Sequence, residues 1–297
     1  MIEYYDMHCH LDFAPEPAAA ARALAGEGVA ALSCTVTPAG YETARTALAA
    51  VPNVRVGLGL HPWWVPALDA SATCGDGEGS AAKNSTDRAQ GEGRAASASA
   101  ADLVATFERY AAHERFFAEV GLDFSPRHAG AREAQLAAFA RIAACAATGG
   151  KVLSLHAVRA ATQVLDVLEA AGALAPDAGN ACIFHWFSGT SDELARAVRA
   201  GAFFSVNPRM LDAKRGRAYV RAIPADRLLL ETDGPAREGD PVDALAVRAQ
   251  LEQLVARIAA ERGDDPDDLR ERIARTSEVL LAGQGAPGVT FAERARA

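Results

Sequence analysis

Two histidines one residue apart, His8 and His10 in Asp6-Met7-His8-Cys9-His10, offer two imidazoles to one side of an extended chain, because side chains two apart on a strand share a face. Glu119 interrupts the apolar run Phe117-Ala118-Glu119-Val120, where an unpaired carboxylate would be costly to bury. His156 follows Val152-Leu153-Ser154-Leu155, His185 follows Ile183-Phe184, and Asp233 follows Leu228-Leu229-Leu230-Glu231-Thr232. Any one of these fits a satisfied buried polar group. Together they read as a ligand set. Four imidazoles and two carboxylates without a thiolate suit Zn²⁺, Mn²⁺, or Mg²⁺ with water completing its shell. Glu119 is the carboxylate best placed to bridge two divalent ions. Asp233 can bind one ion and accept a proton from an attacking water. A bridged pair of ions activates water and stabilises charge on a phosphoryl oxygen.

For these residues to meet, the runs that carry them must lie side by side and end at one face. Short apolar runs occur at Ile2–Met7, Ala31–Val36, Val54–Leu60, Phe116–Leu122, Val152–Leu155, Ala181–Phe184, Ala202–Val206 and Arg227–Leu230. Between them lie segments of helical period near 18–27, 40–50, 101–113, 130–148, 160–171, 191–200 and 215–222, with two more near 242–262 and 267–282. Nearly continuous Val, Leu, Ile and Phe mark strands buried on both faces. Eight strands alternating with helices predict an α/β fold, a TIM-type (β/α)₈ barrel whose active groups gather at the C-terminal face. An open doubly wound sheet is the alternative. The chain reads as a single hydrolase domain over 1–297. Residues 70–100 break the rhythm, being rich in Ala, Ser and Gly without a hydrophobic period. That composition cannot bury enough surface to order itself. It is expected to form a flexible low-complexity insertion after the third strand, neutral or concerned with substrate access, and to add little to the core.

Composition excludes some partners. The chain has 297 residues, half of them hydrophobic, and a formal net charge of −8. A basic protein that coats DNA is ruled out, whereas local contact with a polyanion is not, because bound cations change the field inside a site. Arg127, Arg159, Arg209 and Arg237 each follow a strand that ends at the same face, and planar guanidinium groups suit phosphate oxygens. These four are the candidate substrate-binding residues. Five cysteines, an odd number without a C-x-x-C pair, point to free thiols in a reduced, cytoplasmic protein. The polar opening residues carry no signal peptide, and no apolar run reaches membrane-spanning length.

The motifs resemble the TatD family of metal-dependent deoxyribonucleases. The matching segments are Asp6-Met7-His8-Cys9-His10-Leu11-Asp12, Gly59-Leu60-His61-Pro62, Glu119-Val120-Gly121-Leu122-Asp123, His185-Trp186-Phe187-Ser188-Gly189 and Glu231-Thr232-Asp233-Gly234-Pro235. The resemblance implies an amidohydrolase-like barrel in which His8, His10, Glu119, His156, His185 and Asp233 bind two metal ions. It implies that His61 lies beside the site and serves substrate or catalysis, with Glu119 and Asp233 as the other catalytic residues. The activity it implies is metal-dependent hydrolysis of DNA, commonly 3′–5′ on single strands. Departures from the family pattern fall at Val158, in the run Phe203–Met210, at Ala236 and at Ser277, and leave the ligand set intact. Trp186 and Asn207-Pro208 resemble the TatD-like member of the Qat anti-phage defence system, which implies defence-operon partners.

Two other functions compete. One is a small-molecule hydrolase of the amidohydrolase type, acting on a lactone, amide or phosphoester. Many such enzymes bridge their metals through a carbamylated lysine, and Lys83, Lys151 and Lys214 are all placed wrongly for that role. The other is a catalytically silent scaffold, whose signature would be degenerate ligands; all six are present.

Overall fold

The protein is described by a computed structural model over residues 1–67 and 99–282. Eight strands form one sheet in chain order: β1 Tyr4–Cys9, β2 Val29–Cys34, β3 Val54–Leu60, β4 Phe116–Asp123, β5 Val152–Val158, β6 Ala181–His185, β7 Phe203–Val206 and β8 Leu228–Leu230. Each neighbouring pair from β1 to β8 is parallel. The seam between β8 and β1 is crossed by backbone hydrogen bonds from Asp233 N to His8 O and from His10 N to Gly234 O, both 2.9 Å. Thr232 N adds a bond to the Asp6 carboxylate at 3.0 Å. The sheet is thus a nearly closed barrel, as expected, and the open doubly wound alternative is excluded.

Nine helices among the described residues surround it: α1 Pro17–Gly26, α2 Pro38–Leu48, α3 Ala100–Ala111, α4 Arg132–Ala146, α5 Ala161–Ala170, α6 Ser191–Arg199, α7 Lys214–Ala222, α8 Ala244–Arg262 and α9 Pro266–Ala282. Local chemistry fixes several starts. Thr37 caps α2 through Gly40 N, ahead of Pro38. Ser99 with Asp102, and Thr190 with Glu193, make reciprocal capping boxes on α3 and α6. The predicted insertion over 70–100 therefore ends two residues early, because Ser99 already belongs to the cap of α3. Its remaining residues lie outside those described.

The strands are buried on both faces, and two separate cores result. Tyr5, Met7, Ala30, Leu32, Phe116, Val152, Ile183, Phe203 and Leu229 fill the barrel interior, joined from below by Leu280 and Leu281 of α9. Alternate residues such as Tyr4, Val29, Ala31, Phe117, Leu153 and Phe204 face the helices. Arg55 and Arg115 donate to the last carbonyls of α9, Leu281 O at 3.1 Å and Leu280 O at 3.3 Å, which holds the plug in place. The interior is thus apolar at the bottom and turns polar at the top through Ser154, Ser205, Glu231 and the histidines. Cys9, Cys34, Cys145 and Cys182 are free thiols, and no helix among the described residues is long and apolar enough to cross a membrane.

Candidate metal centre

All six expected ligands converge at the top of the barrel, around Glu119. One carboxylate oxygen, Oε1, faces His156 Nδ1 at 2.7 Å and His185 Nε2 at 2.9 Å. The other, Oε2, faces His8 Nε2 at 3.6 Å and His10 Nε2 at 3.8 Å. Asp233 Oδ1 closes the second group, 3.6 Å from His8 Nε2 and 3.3 Å from His10 Nε2. Each oxygen of one buried carboxylate thus has its own set of donors, the arrangement that a bridging ligand needs. Burial opposes charge on Glu119, but His61, His185 and His156 around it hold the carboxyl well below its usual range. The same balance, with His10 foremost among the opposing groups, keeps Asp233 ionised.

The chemistry of the donors fits a cation. His8 Nε2 is buried with no hydrogen-bond partner, and it points at two carboxylate oxygens too distant to bond it directly. His10 Nδ1 sits 2.7 Å from Cys34 O, a carbonyl that can only accept. Nδ1 therefore carries a proton, and Nε2, which is aimed at Asp233 and Glu119, is the atom that would bind a cation by giving up its own proton. His8 Nδ1 is held likewise by Ser154 Oγ at 2.6 Å, from the next inward position below His156 on β5. Such supporting contacts typically govern metal affinity by ten- to a hundredfold. Ser154→Ala is accordingly expected to weaken divalent-cation binding by about 10- to 100-fold in a calorimetric titration, with little change in melting temperature. Unchanged affinity would show that packing alone orients His8.

His61 stands apart from the other imidazoles. Its Nδ1 accepts from Trp63 N at 3.1 Å, so in the neutral ring Nε2 carries the proton. Nε2 lies 3.3 Å from Glu119 Oε1 and 3.2 Å from His156 Nδ1. Burial pushes its pKa down to about 4, against the pull of Glu119. A neutral N–H aimed into the centre is a hydrogen-bond donor to whatever anion enters.

Three supporting residues were not singled out from the sequence. Asp123 Oδ2 lies 3.2 Å from His156 Nε2 and accepts from Trp63 Nε1 at 2.6 Å. Glu231 Oε1 faces His185 Nδ1 at 3.6 Å, and its other oxygen accepts from Ser205. Asp6 receives Thr232 at the seam, and burial raises its pKa to about 7. Glu231 shares the parity of Asp233, and Asp123 that of Glu119. Period-two reading inside the motifs was the signal that could have found both.

The four candidate arginines are exposed in the loops after β4, β5, β7 and β8, at the same end as the centre. Arg209 packs its guanidinium 5.7 Å from the ring centroid of half-buried Trp186. Among the described residues, three other than glycine adopt positive φ, Arg159 (53°), Trp186 (39°) and Asp233 (58°). Each lies just past a strand at the top of the barrel. Left-handed backbone is unfavourable for such residues and is kept where it aims a functional group.

With this geometry in view, comparison with known proteins is decisive. Residues 5–282 match the TatD related DNase family. The chain belongs to that family. Members of the TatD family are deoxyribonucleases and exonucleases, hydrolases that act on DNA ester bonds. A 3′-5′ ssDNA/RNA exonuclease TatD of Pantoea vagans is 32% identical over 190 residues, covering 61% of this chain and 71% of the relative. Two solved structures share the fold. A TatD homologue from Escherichia coli has a TM-score of 0.69 at 18% identity and covers 94% of this chain and 98% of its own. A lactonase from Listeria monocytogenes has a TM-score of 0.52 at 12% identity, with 96% of each chain covered. Both likenesses are of fold, and they agree with the expected TIM-type barrel.

Proposed function

We propose that this TatD family member is a cytoplasmic nuclease that hydrolyses phosphodiester bonds of single-stranded DNA from the 3′ end, using two divalent ions. The observation that carries the reading is the division of Glu119, one oxygen facing His156 and His185 and the other His8 and His10. His156 and His185 would hold one ion, His8, His10 and Asp233 the other, with Glu119 between them. Two such ions supply charge stabilisation to the scissile phosphate and make water acidic enough to attack. Asp233 is the most open of the carboxylates around the centre, its side chain 24% exposed against 4% for Glu119. Ionised and reachable by solvent, it is the group that takes the proton of the attacking water. The His61 N–H donates to a non-bridging phosphate oxygen or to the leaving oxygen. Exposed Arg127, Arg159, Arg209 and Arg237 would hold neighbouring phosphates.

The lysine-bridged alternative lacks its bridge among the described residues. Lys151 is at the bottom of β5, where its amine donates to Ala111 O and Glu114 O, and Lys214 is exposed at the start of α7; Lys83 lies outside those residues. The test is metal analysis of purified protein together with cleavage of single strands labelled at the 3′ or the 5′ end, with Mg²⁺, Mn²⁺ or Zn²⁺ and a chelator control. Metal-dependent loss of the 3′ label first is expected. Turnover of lactones or small phosphoesters without DNA cleavage would transfer the function to small molecules. Absence of any turnover with a bound metal would leave a scaffold. Trp186 and Asn207-Pro208 support the narrower reading of a nuclease in anti-phage defence. Reduced phage plaquing that depends on Glu119 in cells carrying the neighbouring genes would bear it out, and unchanged plaquing would reject it.

A further inference from the structure

The metal centre accounts for the buried polar residues at the barrel top and leaves one exposed side chain unexplained. Met1, Trp63 and Leu245 are the exposed large hydrophobic residues among those described, and Trp63 is the aromatic one, 48% exposed. It follows β3 directly after His61-Pro62, in a short 3₁₀ turn. The indole is held at several points. Its Nε1 donates to Asp123 Oδ2 at 2.6 Å, and its backbone N–H donates to His61. One face stacks on His128 with ring centroids 5.3 Å apart and planes within 15°. Its ring meets that of His61 in a T-shaped contact at 4.8 Å and lies 6.1 Å from the imidazole of His156. A solvent-open indole in direct ring contact with the centre, already fixed in orientation, can receive a flat partner with little further loss of rotamer entropy.

We infer that Trp63, backed by His128, is a stacking ledge for a nucleobase next to the scissile phosphate of a single-stranded nucleic acid. The inference rests on the nuclease reading above and says how that site grips its polymer. Stacking suits this chain for an electrostatic reason. A net charge of −8 limits what phosphate contacts alone can contribute, and those contacts weaken as salt rises. Stacking on an aromatic face adds affinity that tolerates any base, since every base has a π-face. The rival role for Trp63 is indirect, as a donor that steadies Asp123 and through it His156. The two roles separate cleanly, because Trp63→Phe and Trp63→Leu both remove the indole N–H and only Phe keeps a flat ring.

The probe is a fluorescein-labelled phosphorothioate oligothymidylate, which resists cleavage, beside the same oligomer with abasic positions in place of its terminal bases. Anisotropy titrations would compare wild type, W63F and W63L in the full-length protein. W63L is expected to bind the intact oligomer about 5- to 150-fold more weakly than W63F. On the abasic oligomer that gap should close to within about twofold. Equal binding of the intact oligomer by W63F and W63L, or a gap that persists on the abasic one, would overturn the ledge. Failure of the parent reading looks different: wild type would bind the oligomer, with the Phe–Leu gap present, yet cleave no unmodified strand. A wild type that neither binds nor cleaves would reject both.

Discussion

Glu119→Gln is expected to lose at least about a hundredfold in turnover of single-stranded DNA while leaving the barrel folded. The substitution is isosteric, so the inner wall of β4 keeps its shape, and the Glu119 N–H to Thr35 O bond of 2.8 Å is untouched. What changes is charge and donor type. One of the two oxygens becomes an amide nitrogen, which can only donate. Whichever side it takes, it turns hydrogens towards a space where imidazole nitrogens would ligate an ion, either those of His8 and His10 or those of His156 and His185. One of the two proposed ion positions would thereby be lost or weakened. Charge stabilisation aimed at a developing oxyanion is commonly worth a factor of about a hundred to a thousand for a single donor. The measurement pairs a labelled-strand assay with metal counts per chain and circular dichroism. A variant as active as wild type would remove Glu119 from the centre of the mechanism. Chelator-insensitive cleavage in both proteins would mean that another nuclease is present.

Much of this centre is legible because three strands keep strict alternation. On β5 the inward series is Val152, Ser154 and His156; on β6 it is Ala181, Ile183 and His185; past β8 it runs Leu229, Glu231 and Asp233. On those strands a period-two reading delivers the ligands at once. β1 and β4 behave differently. Tyr5 and Met7 fill the interior, and the next inward group is His8; Phe116 and Ala118 fill the interior, and the next is Glu119. The ladders shift register between Asp6 and Cys9, and between Phe117 and Val120. Such irregularities re-aim side chains and favour the neighbourhood of active sites. Alternation applied strictly to β4 would have turned Glu119 towards the helices. It was found by residue type instead, as a carboxylate inside an apolar run. Nor do all the candidate ligands sit at strand ends: Glu119 lies mid-strand and Asp233 lies three residues beyond β8. Burial and charge, rather than hydrogen-bonded strand length, mark where the polar mouth begins. The exposure of Trp63 had no counterpart in local sequence, since it depends on which of two adjacent tryptophans packs inward.

Gly59→Ala is expected to cost more than about 3 kcal/mol of stability, and the reason ties the fold to the centre. Gly59 is in β3, between β2 and β4. A Cβ there would meet the Thr35 carbonyl oxygen at 1.5 Å, far inside any tolerable contact. The backbone of Gly59 is outside the left-handed region, so the requirement is one of space. That space is used. Thr35 O reaches past β3 to accept the N–H of Glu119 at 2.8 Å. Thr35 Oγ1 meanwhile donates to Gly57 O at 2.7 Å and accepts from Gly59 N at 3.1 Å. The glycine therefore lets a residue just past β2 set the position of the Glu119 carboxylate on β4. An alanine methyl must push the Thr35 carbonyl aside, break the bond to Glu119 N and strand two buried backbone groups, each costly to leave unpaired. A fall in melting temperature of about 6–12 °C is expected for a chain of this size, together with a loss of metal affinity that Glu119→Gln would share but without its preserved stability. Gly26→Ala is the matched control. It lies at the end of α1 with nothing within 4 Å of a Cβ, and alanine favours the helix by up to about 1 kcal/mol. Its melting temperature should hold or rise. A Gly59→Ala protein melting within about 2 °C of wild type would show that the Thr35 carbonyl can yield, and that the β2-to-β4 contact does not place Glu119.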